Sequence, residues 1–347
     1  MATGTAGTSG SLRRYVLVRL ALVIPNILVL LTLVFLLLRV APGDPVSAAL
    51  SGRNLSQEQI EARREAAGYD RPLLVQYWEY LTQVVRGDLG STLTDNREIV
   101  NILVVNGAAT LTLAVAAILV ALLLGVPLGL LAARVRNTWL DAVIRVFGVL
   151  TYAAPVFFVG LLAILLFAGT LGWLPADSQA SPLWQATIES TTNFFLIDAL
   201  IAGEPEAFWD GVRHLVLPAL TLGLMVTGVF IRLVRVNVAQ TMRDDYVEAA
   251  RARGISERRV VLLHAFRNAM VPFVTILGLQ IALLMGGAIL TERTFSWPGL
   301  GSELVEYIQS RDYMAVQGIL TVFALVVAGV SLLIDLINAI IDPRVRY

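Results

Sequence analysis

Six long apolar runs divide the chain, with polar segments of unequal length between them. The runs cover 15–41, 108–133, 142–171, 214–238, 268–291 and 314–341. At about 1.5 Å per residue, each is long enough to carry a helix across a hydrocarbon core of about 30 Å. The pattern predicts an all-α membrane protein with six transmembrane helices. Prolines 25, 127, 155, 218 and 272 fall inside five of the runs. A proline there removes one backbone donor and crowds the preceding turn, so bent helices are expected. The first run follows Arg13 and Arg14, as a signal peptide would begin, but it is too long for one and no small-x-small cleavage site precedes Pro42. It reads as an uncleaved first span, with Arg39 snorkelling at its outer end. Gly125 and Gly129 form a GxxxG pair in the second run, a spacing that lets two helix backbones approach closely.

The polar segments differ in character. Residues 1–14 read as a disordered N-terminus, and 108–347 as the core domain holding five of the spans. Between them, 42–107 is a long segment with amphipathic helices of its own. Leu55, Ser56, Gln59 and Ile60 fit a capping box with a hydrophobic staple, opening a helix that ends at Gly68. Pro72 opens another, with Leu74, Tyr77, Trp78, Leu81 and Val85 on one face. That face suits a helix lying on a membrane surface, and equally one packed on its own loop. Residues 172–213 form an acidic loop whose apolar piece, 194–202, is too short to span and reads as interfacial or re-entrant. Residues 292–314 read as a second loop on the same side.

The most polar stretch between two runs is 242–275, which predicts two short helices broken by a glycine. Tyr246, Val247, Ala249 and Ala250 recur at helical spacing, and Gly254 stands where a left-handed terminating residue is needed. Ser256 offers an N-cap oxygen and Glu257 a first-turn carboxylate for a second helix carrying Val260, Val261, Leu263 and His264. Such a wedge is a candidate docking knob for another protein, or an ordinary charged loop.

Composition sharpens this. The chain of 347 residues is 57% hydrophobic and 15% charged, with mean hydropathy +0.74 and zero formal net charge. All 26 basic residues are arginine. If the N-terminus lies inside, sixteen of them fall in inner segments, against six of the 26 acids, as the positive-inside rule requires. Both termini and 242–275 are then cytoplasmic, while 42–107 and 172–213 face outward. Without lysine there is no G-x-x-x-x-G-K-[ST] loop, and no G-x-S-x-G or H-E-x-x-H occurs. Without cysteine, and with only His214 and His264, no metal site is expected. No catalytic residue and no nucleic-acid partner is expected either. Asp335 is the one acid inside a run, about two turns from the cytoplasmic end, with Arg232 or Arg235 as candidate partner. It reads as a conformational lock or as an acid snorkelling to the interface.

Glu248-Ala249-Ala250, three residues, then Gly254 resembles the EAA loop of permease subunits of ABC-type importers. The generic continuation, Ile-x-Leu-Pro, is replaced here by His264-Ala265-Phe266-Arg267-Asn268-Ala269, which is similar to the dipeptide, oligopeptide and nickel permeases. The string Glu292-Arg293-Thr294-Phe295-Ser296-Trp297-Pro298-Gly299-Leu300-Gly301 resembles an outer loop of that group. Ala41-Pro42-Gly43-Asp44-Pro45, Asp70-Arg71-Pro72-Leu73, Gln76-Tyr77 and Gly87-Asp88-Leu89-Gly90 look like its B-type member, and Asp342-Pro343-Arg344 like its ending. The resemblance implies the type I ABC-importer permease fold in a bacterial cytoplasmic membrane. It implies a second homologous permease, two ATPase subunits that bind ATP and Mg, and an extracytoplasmic substrate-binding protein. Tyr246, Glu248, Ala249, Ala250, Gly254, Ser256 and Arg258, within a coupling loop at 242–268, would engage an ATPase. Arg251, Arg253, Arg258 and Arg259 would meet its acids, or serve only as topology signals. Glu292, Phe295, Trp297, Pro298 and Gly299 would form an outer gate, with Phe295 and Trp297 plugging the path or anchoring at the interface. The implied activity is ATP-driven import of short peptides by alternating access. Nickel or another small solute is the alternative cargo, and an ATP-independent channel or secondary transporter the alternative class.

Overall fold

Helices occupy most of the residues that the computed structural model describes, namely 8–40, 57–66, 68, 70–261 and 266–341. In chain order they are α1 (Thr8–Val40), α2 (Gln57–Ala66), α3 (Leu73–Arg86), α4 (Ile99–Arg134), α5 (Trp139–Ala153), α6 (Val156–Ala163), α7 (Pro182–Thr187), α8 (Phe195–Ile201), α9 (Pro205–Thr241), α10 (Asp245–Ala252), a single turn at Glu257–Arg259, α11 (Phe266–Thr294), α12 (Leu300–Gln309) and α13 (Tyr313–Ile341). An isolated bridge, Ser91 to Glu98, is the extended pairing among these residues. By length and composition α1, α4, α9 and α13 suffice to cross a membrane, and α5 with the α6 region would make a fifth crossing.

The helices overrun the apolar runs. The run 108–133 sits inside the 36-residue α4 and the run 214–238 inside the 37-residue α9. Once a helix is nucleated, each further residue gains a hydrogen bond, so polar flanks extend it. For the same reason α1 takes in residues 8–14, assigned to a disordered tail on sequence grounds. The third run departs further: it is not one continuous helix but two helices meeting at 102°. Ala154 holds ψ at 132°, since the residue before a proline is pushed out of the α region. Beyond α6 the chain relaxes into wider π-type turns, Ile164–Thr170. Pro25, Pro127 and Pro218 leave their helices unbroken.

Glycines set how the core helices meet. Apolar attraction gives no net drive between helices already in lipid, so close backbone approach and packing must hold them. A Cβ on Gly125 would lie 2.7 Å from Cβ of Phe230, and one on Gly129 2.7 Å from Cβ of Val234, both far inside contact distance. The GxxxG pair is therefore the seam between α4 and α9. Gly223 lays α9 against the Ala117 carbonyl from the other side, and Gly228 brings α9 onto Gly148 of α5. Around these contacts Leu113, Ala117, Ala121, Leu222, Val226 and Phe230 form the buried centre.

The segments expected to face outward are partly built as the pattern predicted. α2 ends before Gly68, whose φ of +70° fits the expected terminator; Leu55 and Ser56 of the capping box lie outside the described residues. α3 forms, but its expected face is split. Tyr77 and Leu81 pack on α1, while Leu74, Trp78 and Val85 point away from the protein. Residues 194–202 are the short helix α8. Glu292–Thr294 close α11, and α12 lies in the middle of the expected outer loop. Arg39 donates to Gln76 at 2.8 Å and lies 4.8 Å from the Phe35 ring centroid.

Candidate functional site

Two places gather the predicted site residues. The first is the wedge after α9. Asp245 and Glu248 put negative charge into the first turn of α10, which suits the helix dipole. Its end is a Schellman motif: Gly254 N–H donates to the Arg251 carbonyl at 2.8 Å and Ile255 N–H to the Ala250 carbonyl at 3.2 Å. Gly254 holds φ at +74°, a conformation any Cβ would strain. Val247, Ala250 and Val260 are buried together, with Met242 and Ile255 closing over them. The wedge thus has a small core of its own.

That core redistributes the predicted roles. Ala250 faces inward and is 6% exposed, so it is not available for close approach to another chain; Ala249, Tyr246, Glu248 and Gly254 are exposed. Ser256 makes no side-chain cap, contrary to expectation; its carbonyl accepts from Arg259 and Val260 N–H instead. Glu257 is drawn across the turn by Arg251, at 2.6 and 3.4 Å. This ion pair joins the two halves of the wedge, and its carboxylate holds the Arg251 guanidinium above its ordinary range. Arg251 is therefore engaged within its own chain, while Arg253 and Arg259 are exposed. The Arg258 side chain, Leu263, His264 and Ala265 lie outside the described residues, as does the ending at 342–347.

The second place is the string after α11, which folds as a buried knot. Glu292 is fully buried; it accepts from Thr110 Oγ1 at 2.7 Å and from Ser302 N–H at 2.9 Å, capping the N-terminus of α12. Gly299 and Gly301 are needed for this, because a Cβ at either would lie within 2.8 Å of the Glu292 carboxylate. Trp297 is 2% exposed and its indole N–H donates to the Ala109 carbonyl at 2.9 Å, so it is anchored in protein and not at a membrane interface. Asn106 donates to the Pro298 carbonyl at 3.0 Å, and Leu300 N–H to Thr110 Oγ1 at 2.9 Å. Phe295 is fully buried against Gly160 of α6, and its carbonyl accepts from Ser178 N–H. The knot ties α4, α6, α11 and α12 together.

Asp335 meets neither predicted arginine. It pairs with Arg19 of α1 at 3.1 Å, because α1 packs beside α13. Arg235 instead grips Asp141, with Nε at 2.6 Å and Nη2 at 2.8 Å from its two oxygens. Asn137 N–H adds a contact at 3.1 Å and Arg145 lies at 3.6 Å. Asp141 has no exposed surface, and sequence reasoning missed it. The signal was present: Thr138-x-x-Asp141 is a capping spacing, and Thr138 does accept from Asp141 N–H. Asp312 was missed too. It caps α13 through Ala315 N–H and receives Thr94 N–H and Oγ1, binding the loop before α4 to the start of the last helix. An aspartate just ahead of an apolar helix was the available cue. Among the described residues no cluster could hold a metal ion.

Comparison with known proteins places the chain in a family. The family described as binding-protein-dependent transport system inner membrane component matches residues 125–347, and its N-terminal counterpart matches 12–114. The di/tripeptide transport system permease protein DppB of Pseudomonas aeruginosa (strain UCBPP-PA14) is 39% identical over 330 residues, 95% of this chain and 97% of its own. The dipeptide transport system permease protein DppB of Escherichia coli (strain K12) is 37% identical over 335 residues, 96% and 99% of the two chains. The glutathione transport system permease protein GsiC of Salmonella typhi is 36% identical over 333 residues, again 96% and 99%.

Proposed function

We propose a function from one premise: this chain belongs to the family of binding-protein-dependent transport system inner membrane components. It is a multi-pass permease subunit of an ATP-driven importer that passes short peptides across the cytoplasmic membrane. The observation that carries the cargo is similarity along nearly the whole chain to permeases named for di/tripeptide, dipeptide and glutathione transport. Six crossings follow if the bent α5–α6 pair and the 29-residue α11 are counted with the four long apolar helices. Arginine placement then puts both termini and the wedge in the cytoplasm.

The working cycle follows from the wedge. The chain has no nucleotide-binding loop, so ATP and Mg belong to two separate ATPase subunits. The exposed residues Tyr246, Glu248, Ala249 and Gly254, with Ser256 and Arg258, seat in an ATPase groove. Because the wedge is held by its own core and by the Arg251–Glu257 pair, it passes force on as one body. ATP binding closes the ATPases and draws this wedge toward that of a second, homologous permease. The helices rock, the outward side opens, and an external binding protein delivers the peptide. The knot at 292–301 borders the outer path as its gate element.

The test is uptake. The chain, co-expressed with its neighbouring permease, ATPases and binding protein, is reconstituted in liposomes with ATP inside. Labelled di- and tripeptides should accumulate only with ATP and binding protein present. Accumulation of nickel without peptide would move the cargo to the alternative, and uptake that ignores ATP would overturn the importer reading.

A further inference from the structure

The helix α3 has an orientation that water cannot explain. Three stripes run along it. Tyr77, Tyr80, Leu81 and Val84 pack with Ile27, Leu31 and Phe35 of α1, and the Tyr77 hydroxyl lies 2.6 Å from Thr32 Oγ1. Ile27 lies twelve residues before Arg39, about 18 Å along the helix, near the middle of the apolar stretch Arg14–Arg39. α3 thus lies beside the apolar length of α1, not beyond its end. On the second stripe Gln76, Glu79 and Gln83 turn toward a polar cavity of about 370 Å³ shared with Arg39, Asn96 and Gln317. The third stripe is Leu74, Trp78 and Val85, spaced i, i+4, i+11, which are 82%, 68% and 87% exposed.

A helix in water turns its polar side out and its apolar side in. Here the polar stripe lines a half-open polar cavity that water can enter at Gln83, while on the other side large apolar side chains face outward. On the helix the outward stripe adjoins the one α1 covers, so the two form one apolar arc of which α1 takes half. α1 is itself exposed along Leu28, Val29, Leu33, Leu36 and Leu37, and only 11% of its apolar window is buried. The surface of α3 continues that surface.

We propose that α3 is embedded in the outer leaflet beside α1, with Leu74, Trp78 and Val85 covered by lipid acyl chains. The helix is a lipid-facing wall that closes the polar cavity off from the bilayer. Lipid is the occupant because the stripe continues the face of a helix long and apolar enough to span. The choice of leaflet rests on the orientation proposed above.

The chain has no cysteine, so single-cysteine variants report one site each. Leu74→Cys, Trp78→Cys, Val85→Cys and, as water-facing controls, Gln83→Cys and Arg86→Cys are made in the full chain and co-expressed with its partner subunits. A charged, impermeant maleimide is applied to spheroplasts and to inverted vesicles. Because hydrocarbon excludes the reagent and the thiolate, the three stripe positions should label about tenfold more slowly than the controls, and catch up in detergent. A bimane fluorophore on each stripe position, in nanodiscs of tail-brominated lipid, should be quenched, while one on Gln83→Cys should not. Stripe labelling as fast as the controls would overturn the proposal. So would protection without quenching, which would mean that a protein surface covers the stripe. Control labelling only in inverted vesicles would overturn the orientation and the choice of leaflet, with tail quenching still deciding whether the helix is embedded. Three independent stripe positions keep the test decisive if one variant fails to insert.

Discussion

The pair Asp141–Arg235 should be the most sensitive polar contact in the described core. The perturbation is Asp141→Ala. Asp141 has no exposed surface, receives both Nε and Nη2 of Arg235 at 2.6 and 2.8 Å, and takes Asn137 N–H at 3.1 Å. Removing one partner of a fully buried pair costs about 3–5 kcal/mol, because the remaining charge is left without compensation. An exposed pair is worth only about 0–1 kcal/mol. This pair lies between those limits. Arg235 retains 19% of its side-chain surface and Arg145 54%, so Asp141 is covered by its own partners and water stands one side chain away. Re-solvation of Arg235 then lowers the cost to about 2 kcal/mol, intermediate between the two cases. The bidentate geometry also predicts coupling: Asp141→Ala and Arg235→Ala together should cost at least about 1 kcal/mol less than their sum. Unfolding midpoints of the purified chain in an SDS titration, at fixed lipid content, give the four corners of the cycle. Additivity within about 0.5 kcal/mol would refute the reasoning, since it would mean that the two side chains do not depend on each other.

Two further outcomes rest on the same kind of geometry. Gly254→Val forces a β-branched residue to φ near +74°, costing about 1–3 kcal/mol locally; insertion should stay normal while peptide uptake per ATP hydrolysed falls, and unchanged coupling would remove the wedge from the mechanism. Gly129→Leu drives a side chain into Val234 at the α4–α9 seam, an overpacking cost of about 1–3 kcal/mol or more, and should lower the SDS midpoint whereas Gly169→Leu, with only a backbone oxygen at 3.8 Å near its Cβ, should not.

Apolar runs made most of the helices legible, because bilayer thickness sets their length and composition directly. What the runs could not show was direction. Pro155 and Pro127 look alike in sequence, yet one ends a helix at 102° and the other leaves its helix unbroken. The difference lies in the tertiary contacts of the two helices: α6 must turn to reach Phe295 and Thr294 through Gly160, whereas α4 is held straight against α9 by Gly125 and Gly129. Charge pairing was equally hidden. Arg235 is as close to Asp335 in a naive topology as to Asp141, and only the packing of α1 beside α13 assigns Asp335 to Arg19. Local motifs fared better where they are self-contained, as with the Schellman turn at Gly254. They fared worse where a side chain had competing uses, as with Ser256, whose hydroxyl makes no cap.

If the knot serves as the outer gate proposed above, its bonds limit how that gate can move. Freeing Trp297 would break its bond to the Ala109 carbonyl, and freeing Phe295 would empty the space it fills beside Gly160. Moving the loop as a whole away from α4 would also break Asn106 to Pro298, Leu300 to Thr110 and Thr110 to Glu292. At about 1 kcal/mol per neutral bond, more for a bond to the carboxylate and a full desolvation cost for any buried partner left unmade, a swinging loop faces a barrier of several kcal/mol. A knot that travels with the outer end of α4 breaks none of these contacts. The gating motion consistent with the packing is therefore that of a rigid block, with α4 fixed to α9 by the glycine seam. α9 in turn continues, past Arg235 and its grip on Asp141, to the wedge at α10 only a few residues beyond its end. On the proposed roles of wedge and knot, coupling across the membrane would need no flexible loop at either end, only one stiff helix pair locked at one tip to the knot and continuing at the other to the wedge.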